Sequence, residues 1–501
     1  MKKNFYLTDY FFCFSNFLEN YPALCVGCFF AVGISFFLSS NFLVFLFVLP
    51  FWISSYKKKR FLLFSFLMLL FGYGYCYFRN VSFEKPIISG QGYFVVEKYM
   101  PSSFSKKILC IGRMKSFTSQ DGKKYRNLPV CTSCKSSQRM KGNLTYLLQG
   151  ELIKKEFSYF MKKYQLIEKK RRFSLIELRY LIKKKAKSFF YRVLSNSNSK
   201  KLISGLVTGD FHDQFIRFSF SRLGISHVMA ISGLHFSLLI ALVFFLLRLF
   251  IPLRYVNYIL VFLATLYFLF IGPSASIQRA WIMIMCFLIA QIVSKNYQPI
   301  NSLGLAFLIS LLIDPNMIKN LGFQLSFLSV MAILLYFPAF QPFVNKAFPV
   351  RSKEEIVSLS YFSKISYFFL RYIVNGFSLS LCVSIIILPV LLYHFHSFPL
   401  LSLFYNLFMP LFIGIILLFS FSLLLCHLLF PFLTVFFAKI LDVFASFVVN
   451  YALFSPPLLD IQFRMKYFSF SLTIIFLFFQ MIILLPLIHR REKDSLSLAF
   501  I

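Results

Sequence analysis

Two histidines and three serines lie within thirteen residues, in the stretch SHVMAISGLHFSL from Ser226 to Leu238, at the head of an apolar run. Ser232 precedes His235 by three residues, a spacing at which a base can activate a nucleophile on one face of a helix. Ionisable groups such as His227 and His235 are expensive inside a bilayer and usually serve a function there. The stretch therefore indicates a membrane-embedded hydrolase, a polar pore lining, or interfacial packing.

Three further polar side chains stand at the heads of apolar segments. Arg279 follows the turn GPSAS, and Gln324 and Ser326 lie in GFQLSF. An arginine in that position needs a carboxylate, a carbonyl group or a water-filled cavity. A pore for a polyanion also needs polar groups along its wall. These three residues are therefore, with the Ser/Gly/His stretch, candidates for a channel lining.

Other chemistry is not indicated. The pair His394 and His396 has no further metal ligand close by in sequence, so no metal site is expected. The chain contains no G-x-x-x-x-G-K-[ST] run and no H-x-H-x-D-H motif. We therefore expect no enzymatic activity and no cofactor.

The composition is that of a polytopic membrane protein. Of 501 residues 58% are hydrophobic, and mean hydropathy is +0.72. Twelve apolar windows approach the length of a span: 22–39, 42–56, 61–78, 226–250, 255–271, 278–294, 300–313, 321–337, 373–393, 411–430, 432–453 and 467–487. With the Lys57–Arg60 run placed inside, short cytoplasmic loops and tails hold seventeen Lys and Arg residues and the opposite short loops four. Both termini are therefore expected in the cytoplasm.

A polar insertion from Arg79 to Lys201 carries 29 Lys and Arg residues against 7 Asp and Glu, which is +22 of the net charge of +35. The alternation of spans places it outside the cytoplasm. Its first half predicts four or five short strands, which suits a small barrel of the OB type. Its second half, from Lys162 to Leu194, predicts a basic amphipathic helix. Aromatic side chains such as Phe94 and Phe117 are interpreted as barrel core.

Lysine and arginine neutralise phosphates, and this interaction drives sequence-independent binding to nucleic acid. The candidates for DNA contact in the insertion are Lys106, Lys107, Arg113, Lys123, Lys124 and Arg126. A disulfide among Cys110, Cys131 and Cys134 is also considered, with its pairing left open.

The fold class is thus mainly α: a polytopic helical membrane protein of about twelve spans with a small extracytoplasmic OB-like β-barrel. The expected divisions are 1–78 for the N-terminal membrane segment, 79–200 for the basic domain, 201–490 for the main membrane domain and 491–501 for a cytoplasmic tail. Near the start of the third division, Asp210 and Asp213 need cationic partners, for which Arg217 and Arg222 are candidates.

Four stretches in order resemble the ComEC-type competence proteins. They are GLVTGD…SRLGISHVMAISGLHFSLL, PSASIQRAWIM, LIDPNMIKNLGFQLSFLSVMAIL and LCVSIIILPVLLYHFHSFPLLSLFYNLFMPLF. The resemblance runs from about residue 200 to 430, and the basic insertion resembles the OB-like domain of that family more weakly. The family's motif positions fall on Gly209, Asp210, Ser232, Gly233, His235, Arg279, Gln324 and Ser326.

The resemblance implies a channel in the bacterial inner membrane that passes transforming DNA into the cytoplasm as a single strand. It implies single-stranded DNA and membrane lipids as partners, together with a DNA receptor, a separate cytoplasmic ATPase motor and a separate nuclease. Many members carry a C-terminal metallo-β-lactamase-like domain, which this sequence lacks. The alternatives are an exporter or flippase of an anionic lipid or polymer, and a hydrolase using Ser232 and His235. Oligomeric state is left open.

Overall fold

The computed structural model describes residues 20–54, 59–79, 87–101, 107–135, 139–154, 159–171, 173–211, 213–229, 233–454 and 461–499. Its helices, in chain order, are α1 (Pro22–Ser39), α2 (Leu49–Ser54), α3 (Lys59–Arg79), α4 (Leu175–Val193), α5 (Ser197–Thr208), α6 (Gln214–Arg222), α7 (Ser226–Met229), α8 (Gly233–Arg248), α9 (Leu253–Ile271), α10 (Ala275–Ile292), α11 (Pro299–Ile313), α12 (Leu321–Ala347), α13 (Lys353–Ser358), α14 (Tyr361–Phe395), α15 (Ser402–Leu429), α16 (Thr434–Phe454) and α17 (Phe470–Ala499).

The apolar windows correspond closely to these helices. Among the described residues, eight helices are long and apolar enough to cross a membrane, and three shorter apolar helices accompany them. Eleven of the twelve windows lie on this set, which confirms a multi-pass membrane protein. The window 42–56 differs, since it holds a 3₁₀ helix at Phe42–Phe47 followed by α2. Pro50 lies in the first turn of α2, where its missing N–H is tolerated, and so favours a new helix there.

Helices α1 and α3 are parallel. Phe29 stacks on Phe61 at 5.9 Å and Phe37 on Tyr77 at 6.2 Å, so both sequences advance in the same direction. A Cβ on Gly33 would lie 2.2 Å from the Leu69 carbonyl oxygen, which shows how closely the backbones approach. Two parallel helices start on one side, and therefore the chain between them returns to that side. The short window thus still reverses the chain.

The insertion folds into a five-stranded barrel closed in the order β1-β2-β3-β5-β4. Its strands are β1 (Ile87–Pro101), β2 (Lys107–Ser119), β3 (Lys124–Lys135), β4 (Leu144–Lys154) and β5 (Tyr159–Arg171). All neighbouring pairs are antiparallel except β3 and β5, which are parallel. Phe94 and Phe117 are fully buried in the barrel core, as their interpretation required. This domain confirms the small OB-like barrel expected from the strand pattern.

One element of this domain was predicted wrongly. Residues 162–171 belong to strand β5, whereas the basic run was interpreted as the start of a helix. The helix begins only at Leu175, where the Ser174 side chain accepts a hydrogen bond from the Ile176 N–H at 3.2 Å. β5 closes the barrel by pairing with both β4 and β3. These tertiary contacts override the local pattern, which a lysine-rich run leaves ambiguous.

After α14 the chain turns back along the helix that it has just left. His396 adopts a left-handed conformation with φ 52°, and Leu407 then packs against Gly376 of the same helix. The helical distance from Gly376 to Phe395 is about 28 Å, whereas the chain from Phe395 to Leu407 would cover only about 18 Å as a helix. The returning segment must therefore be partly extended, and it contains the short strand β6 (Ser397–Pro399).

Strand β6 pairs with β7 (Gln462–Arg464) in an antiparallel two-stranded ladder. Phe398 is buried beside Leu392 and Phe468 and packs near the last turns of α14. At the upper end of the ladder the Met465 N–H donates to the His396 carbonyl at 2.9 Å. Two non-helical segments therefore run alongside the last turns of a membrane-spanning helix.

Helices α15 and α16 form an antiparallel hairpin, with Phe412 on Phe444 at 5.9 Å and Tyr405 on Tyr451 at 6.3 Å. Near its turn, His427 stacks on Phe189 of α4, the helix that follows the barrel, at 4.8 Å. The turn of the hairpin therefore lies on the face that carries the barrel. Strict alternation of the twelve windows would place it on the opposite face, because alternation takes no account of the extended return before α15.

Candidate functional site

The basic barrel candidates cluster on strands β2 and β3. Lys107 begins β2, Lys123 precedes β3, and Lys124 and Arg126 lie in β3, the last three being exposed. Lys124 and Arg126 pair across the ladder with Thr118 and Ser116. Lys106 lies outside the described residues. This surface therefore presents positive charge along two neighbouring strands.

Arg113 differs from the other candidates because it already has an acidic partner. Its Nε lies 3.4 Å from Glu97 Oε1, and both side chains are partly exposed. Lys115, on the same strand and exposed, was not among the predicted contacts. Exposed lysines are common on soluble domains, so its sequence position alone carried no signal.

The three barrel cysteines separate into a pair and a single residue. Cys110 and Cys134 are buried, and their Sγ atoms are 3.2 Å apart. The Cys110 thiol hydrogen bond lowers the pKa of Cys134, which favours a thiolate there. Cys131 pairs in register with Ile111 and is only half-buried, on the alternate face of β3. Geometry therefore brings Cys110 and Cys134 together and leaves Cys131 apart.

The barrel is joined to α4 by a charged contact between aromatic rings. Arg139 donates to both oxygens of Glu177, at 2.6 and 3.0 Å, and the Gly142 N–H donates to the same carboxylate at 2.9 Å. The Arg139 guanidinium lies 4.8 Å from the Tyr99 ring and 3.8 Å from the Tyr180 ring. Burial alone would raise the pKa of Glu177, but the hydrogen bonds from Arg139 and Gly142 outweigh it and lower the pKa.

Asp210 connects α4 to the segment that leads into the membrane domain. Its carboxylate lies 3.3 Å from Lys183 Nζ and 3.8 Å from Lys187 Nζ. Burial lowers the pKa of both lysines, and the charge of Asp210 opposes that effect. Gly209 before it ends α5 with φ 76°, a left-handed conformation that suits glycine.

The predicted partners of the two aspartates were wrong. Asp210 pairs with Lys183 and Lys187 of α4, and Asp213 pairs with Lys201 at 2.8 Å, so these ion pairs use lysines in place of Arg217 and Arg222. Asp213 also caps α6 by accepting from the Ile216 N–H at 3.0 Å. The arginines are nearer in sequence, but a helix cap turns the Asp213 side chain towards its own backbone.

Arg279 lies at the centre of three helices. It belongs to α10, and only 6% of its surface is exposed. Its guanidinium lies directly over Gly233, the first residue of α8, where a Cβ would be 2.7 Å from Nη2. Nη1 donates to the backbone carbonyl of Ser326 in α12. The structure therefore brings residues from three separate motif stretches into contact.

This arginine has no carboxylate partner among the ion pairs of the described residues. Arg279 Nε is buried without a hydrogen-bond partner in the described chain, and so is Ser326 Oγ. An unbalanced positive charge at this depth is unfavourable unless an anion or water approaches it. The arrangement is therefore suited to contact a passing anion.

Gln324 extends the polar group to the fourth motif stretch. Its Nε2 donates to the Ile318 carbonyl at 2.8 Å, and its Oε1 lies 3.3 Å from His394 Nε2. His394 was considered only as half of a metal-binding pair, and its contact with Gln324 was missed. Among the described residues, no group of three or more His, Cys, Asp and Glu side chains could hold a metal ion.

The residues of the opening stretch are placed differently from one another. His235 is 1% exposed inside α8, whereas His227 is exposed in the short helix α7. Ser232 lies outside the described residues, so the distance from its hydroxyl to His235 is not part of the site geometry. Among the described residues of this stretch, Gly233 is placed against Arg279.

Asp442 is a polar residue of the membrane domain that sequence reasoning missed. It is 9% exposed within α16, and its Oδ2 accepts from the N–H groups of Ser195 and Asn196, each at 2.9 Å. These donors precede α5, so the carboxylate holds the start of that helix against the hairpin. A single acidic residue in an apolar window was the available signal.

Comparison with known proteins agrees with the resemblance of the four stretches. ComE operon protein 3 of Bacillus subtilis (strain 168) is 28% identical over 216 residues, which cover 42% of this chain and 24% of that relative. The similarity thus extends over about a quarter of the relative's length. No solved structure matches the chain. A family model described as competence protein matches residues 209–491, more than half of the sequence and all of the motif cluster described above, and the chain therefore belongs to the competence protein family.

Proposed function

We propose that this protein is an inner-membrane channel through which transforming DNA enters the cytoplasm as a single strand. The carrying observation is Arg279, a buried guanidinium with no carboxylate partner among the described ion pairs, in contact with Gly233 and Ser326. A phosphodiester is the anion that a competence protein has to move. The cluster with Gln324 and His394 supplies the polar wall that a polyanion requires.

The barrel acts as the collector of DNA in this proposal. The insertion carries a charge of +22, and Lys123, Lys124 and Arg126 are exposed together at the start of β3. Neutralising phosphates releases counterions and drives binding without sequence preference. Phe94 and Phe117 are core residues and do not reach the surface, so the exposed basic side chains are assigned this contact.

The pair Cys110 and Cys134 fits an oxidising compartment, and we infer that these two thiols close a disulfide. Two thiols lose two protons and two electrons to an extracytoplasmic thiol oxidant, and one S–S bond forms. Disulfides persist in the extracytoplasmic space and are rare in the cytosol. The inference supports an external barrel, and we further propose that both chain termini lie in the cytoplasm.

A channel of this kind works with other proteins. We assign single-stranded DNA and membrane lipids as its direct partners, and a DNA receptor, a cytoplasmic ATPase motor and a nuclease as separate chains. Asp210, bound by Lys183 and Lys187, would transmit the position of the barrel to the membrane domain.

The test is the uptake of labelled DNA in a strain whose chromosomal copy is replaced. Deletion is expected to abolish DNase-resistant label inside the cell, and restoring the parent gene should recover it. A variant of Lys123, Lys124 and Arg126 together to glutamine should weaken binding of DNA at the surface. Normal uptake by the deletion strain, in a cell with no second copy of the gene, would contradict the proposal.

A further inference from the structure

The ladder of β6 and β7 has two chemically different faces. Directly paired residues in a sheet share a face, and the pairs are Ser397 with Arg464, Phe398 with Phe463, and Pro399 with Gln462. The central pair is aromatic, and its Phe398 is buried against the end of α14. The other two pairs place Ser397, Arg464 and Gln462 on the opposite face. Pro399 shares that face, and Phe463 on the aromatic face is 46% exposed, so the ladder has one aromatic face and one mainly polar face.

This ladder lies at membrane depth. Phe398 packs beside Leu392, in the last turns of a spanning helix, and the chain then descends until Leu407 meets Gly376. Tyr372 Oη, further along the same helix, donates to the Leu407 carbonyl at 2.8 Å. A bilayer core is about 30 Å thick, similar to the helical distance from Phe395 to Gly376. The non-helical segment therefore returns alongside the apolar part of α14 (residues 373–393) and does not lead away from it.

Non-helical backbone is tolerated at that depth only where it is buried in protein or faces water. In the described chain the ladder has two strands and no third strand beside it. Arg464 is exposed and Gln462 half-buried, and Arg464 Nη2 lies 3.4 Å from Gln462 Oε1. An exposed guanidinium and an amide on one face cannot be placed against hydrocarbon without a large transfer cost. The polar face of the ladder therefore indicates water.

The opening stretch of the motif region approaches the same face. Gly224, with φ 74°, lies so close to Pro399 that a Cβ would be 2.4 Å from Pro399 Cγ and 2.7 Å from Ser402 Cβ. Ser226 and His227 follow it directly and are exposed. At the upper end, His394 connects this region to Gln324. Gly224 thus brings the start of the motif region against the ladder, and the His394–Gln324 contact lies at the end of the helix that leads into it.

We propose that the polar face of the β6–β7 ladder lines the aqueous path of the channel and that Arg464 contacts phosphates of the passing strand. The identity of the anion rests on the proposed function. The contact of the ladder with water is inferred from its geometry and does not depend on that function. A strand ladder offers a rigid, polar surface, and the substrate class is a single-stranded phosphodiester polymer.

Cysteine accessibility tests the wall. Ser397→Cys and Gln462→Cys in the full chain are treated in intact cells with a charged, membrane-impermeant methanethiosulfonate, and labelling is compared with that of the parent chain. Val443→Cys is the matched control, because Val443 is 71% exposed on α16 in an apolar stripe that faces lipid. Both ladder variants should react at least 10-fold faster than the control. Rates equal to that of Val443→Cys would overturn the aqueous wall.

Two separate experiments test the contact with DNA. Saturating transforming DNA should slow labelling of Gln462→Cys several-fold, and unchanged labelling in cells that do internalise DNA would overturn the path. Binding of single-stranded DNA by the purified full chain should show a slope of log affinity against log salt smaller by about 0.7 in Arg464→Gln, the amount for one phosphate contact on a single strand. Arg464→Lys should restore the slope, and an unchanged slope in Arg464→Gln would overturn the phosphate contact.

The two proposals fail separately. If cells with the parent chain internalise no DNA through it, the proposed function fails, while labelling at positions 397 and 462 still decides whether the ladder faces water. If DNA enters and the ladder cysteines stay unlabelled, the channel stands and its wall lies elsewhere. Arg254→Gln, an exposed arginine at the other end of the membrane domain, serves as the control for charge alone.

Discussion

Replacing Arg279 with methionine should leave the protein folded and slow its passage of DNA. The change removes one charge-assisted hydrogen bond to the Ser326 carbonyl, which contributes about 1.5–3 kcal/mol to the free energy of unfolding. It also removes the transfer cost of a buried arginine, about 2.5–3.5 kcal/mol on insertion scales. The two terms nearly cancel, so the free energy of unfolding should change by less than about 2 kcal/mol in either direction.

The rate of DNA uptake should fall even though stability changes little. The phosphate that balances the charge of Arg279 is present only while DNA is being transported. Loss of one charge-assisted contact to phosphate, about 1.5–3 kcal/mol, corresponds to about a 10- to 150-fold slower passage at 1.36 kcal/mol for each factor of ten. Arg279→Lys keeps the charge without the planar fork and should recover part of the rate.

The assay measures internalised DNA against the amount and melting temperature of the purified protein. Arg248→Met, at the exposed end of α8, is the control for loss of a membrane-domain arginine. Destabilisation by 3–5 kcal/mol in Arg279→Met, of the size seen when a buried ion pair is broken, would refute the reasoning and make Arg279 a structural anchor. Unimpaired uptake with a stable protein would also refute it.

Glu177→Gln should loosen α4 from the barrel, seen as faster protease cleavage of α4. Because the pKa of Glu177 is lowered in the folded protein, its contribution is present above the pKa of free glutamate and is lost as the pH falls below about 4. Protection of α4 that is independent of acid pH would contradict this. Cys110→Ser should abolish the disulfide with Cys134, expose one alkylatable thiol and cost about 3 kcal/mol, and parent thiols that both alkylate without reductant would exclude the bond. Gly224→Ala should lower protein level strongly, because it adds a clash with Pro399 and Ser402 to the backbone strain of φ 74°. Gly122→Ala has a similar φ of 77° with open space around it, so it carries the strain alone and should have the smaller effect. Equal effects would remove the role of close packing.

The sequence predicted those features that depend on local composition. Apolar windows identified eleven of the membrane helices, because burial in lipid requires long apolar runs whatever their neighbours are. Alternating residues predicted the barrel, yet the closing strand β5 was assigned to a helix. Its lysine-rich sequence allows either structure, and only pairing with β3 and β4 decides between them.

The sequence predicted several residues of the candidate site but not the contacts between them. Arg279 and Gln324 were singled out because polar groups at the heads of apolar segments are rare. Their contacts with Ser326 and His394 join residues far apart in sequence, and a single sequence carries no signal for such pairs. The same holds for Asp442, whose hydrogen bonds to the start of α5 depend on the packing of the hairpin.

Helix α4 connects two parts of the membrane domain by a contact near each of its ends. Near its start, Arg179 Nε donates to the Leu269 carbonyl at the end of α9 at 2.7 Å, and towards its other end Phe189 stacks on His427 at the tip of the α15–α16 hairpin. Any increase in the distance between α9 and this hairpin must therefore bend α4 or break the contact at one of its ends. Because Arg139 clamps the barrel to the same helix, the tilt of the barrel reports the width of the membrane domain beneath it. If the proposed function holds, a DNA strand bound to the barrel would therefore exert a torque on the membrane domain through this helix.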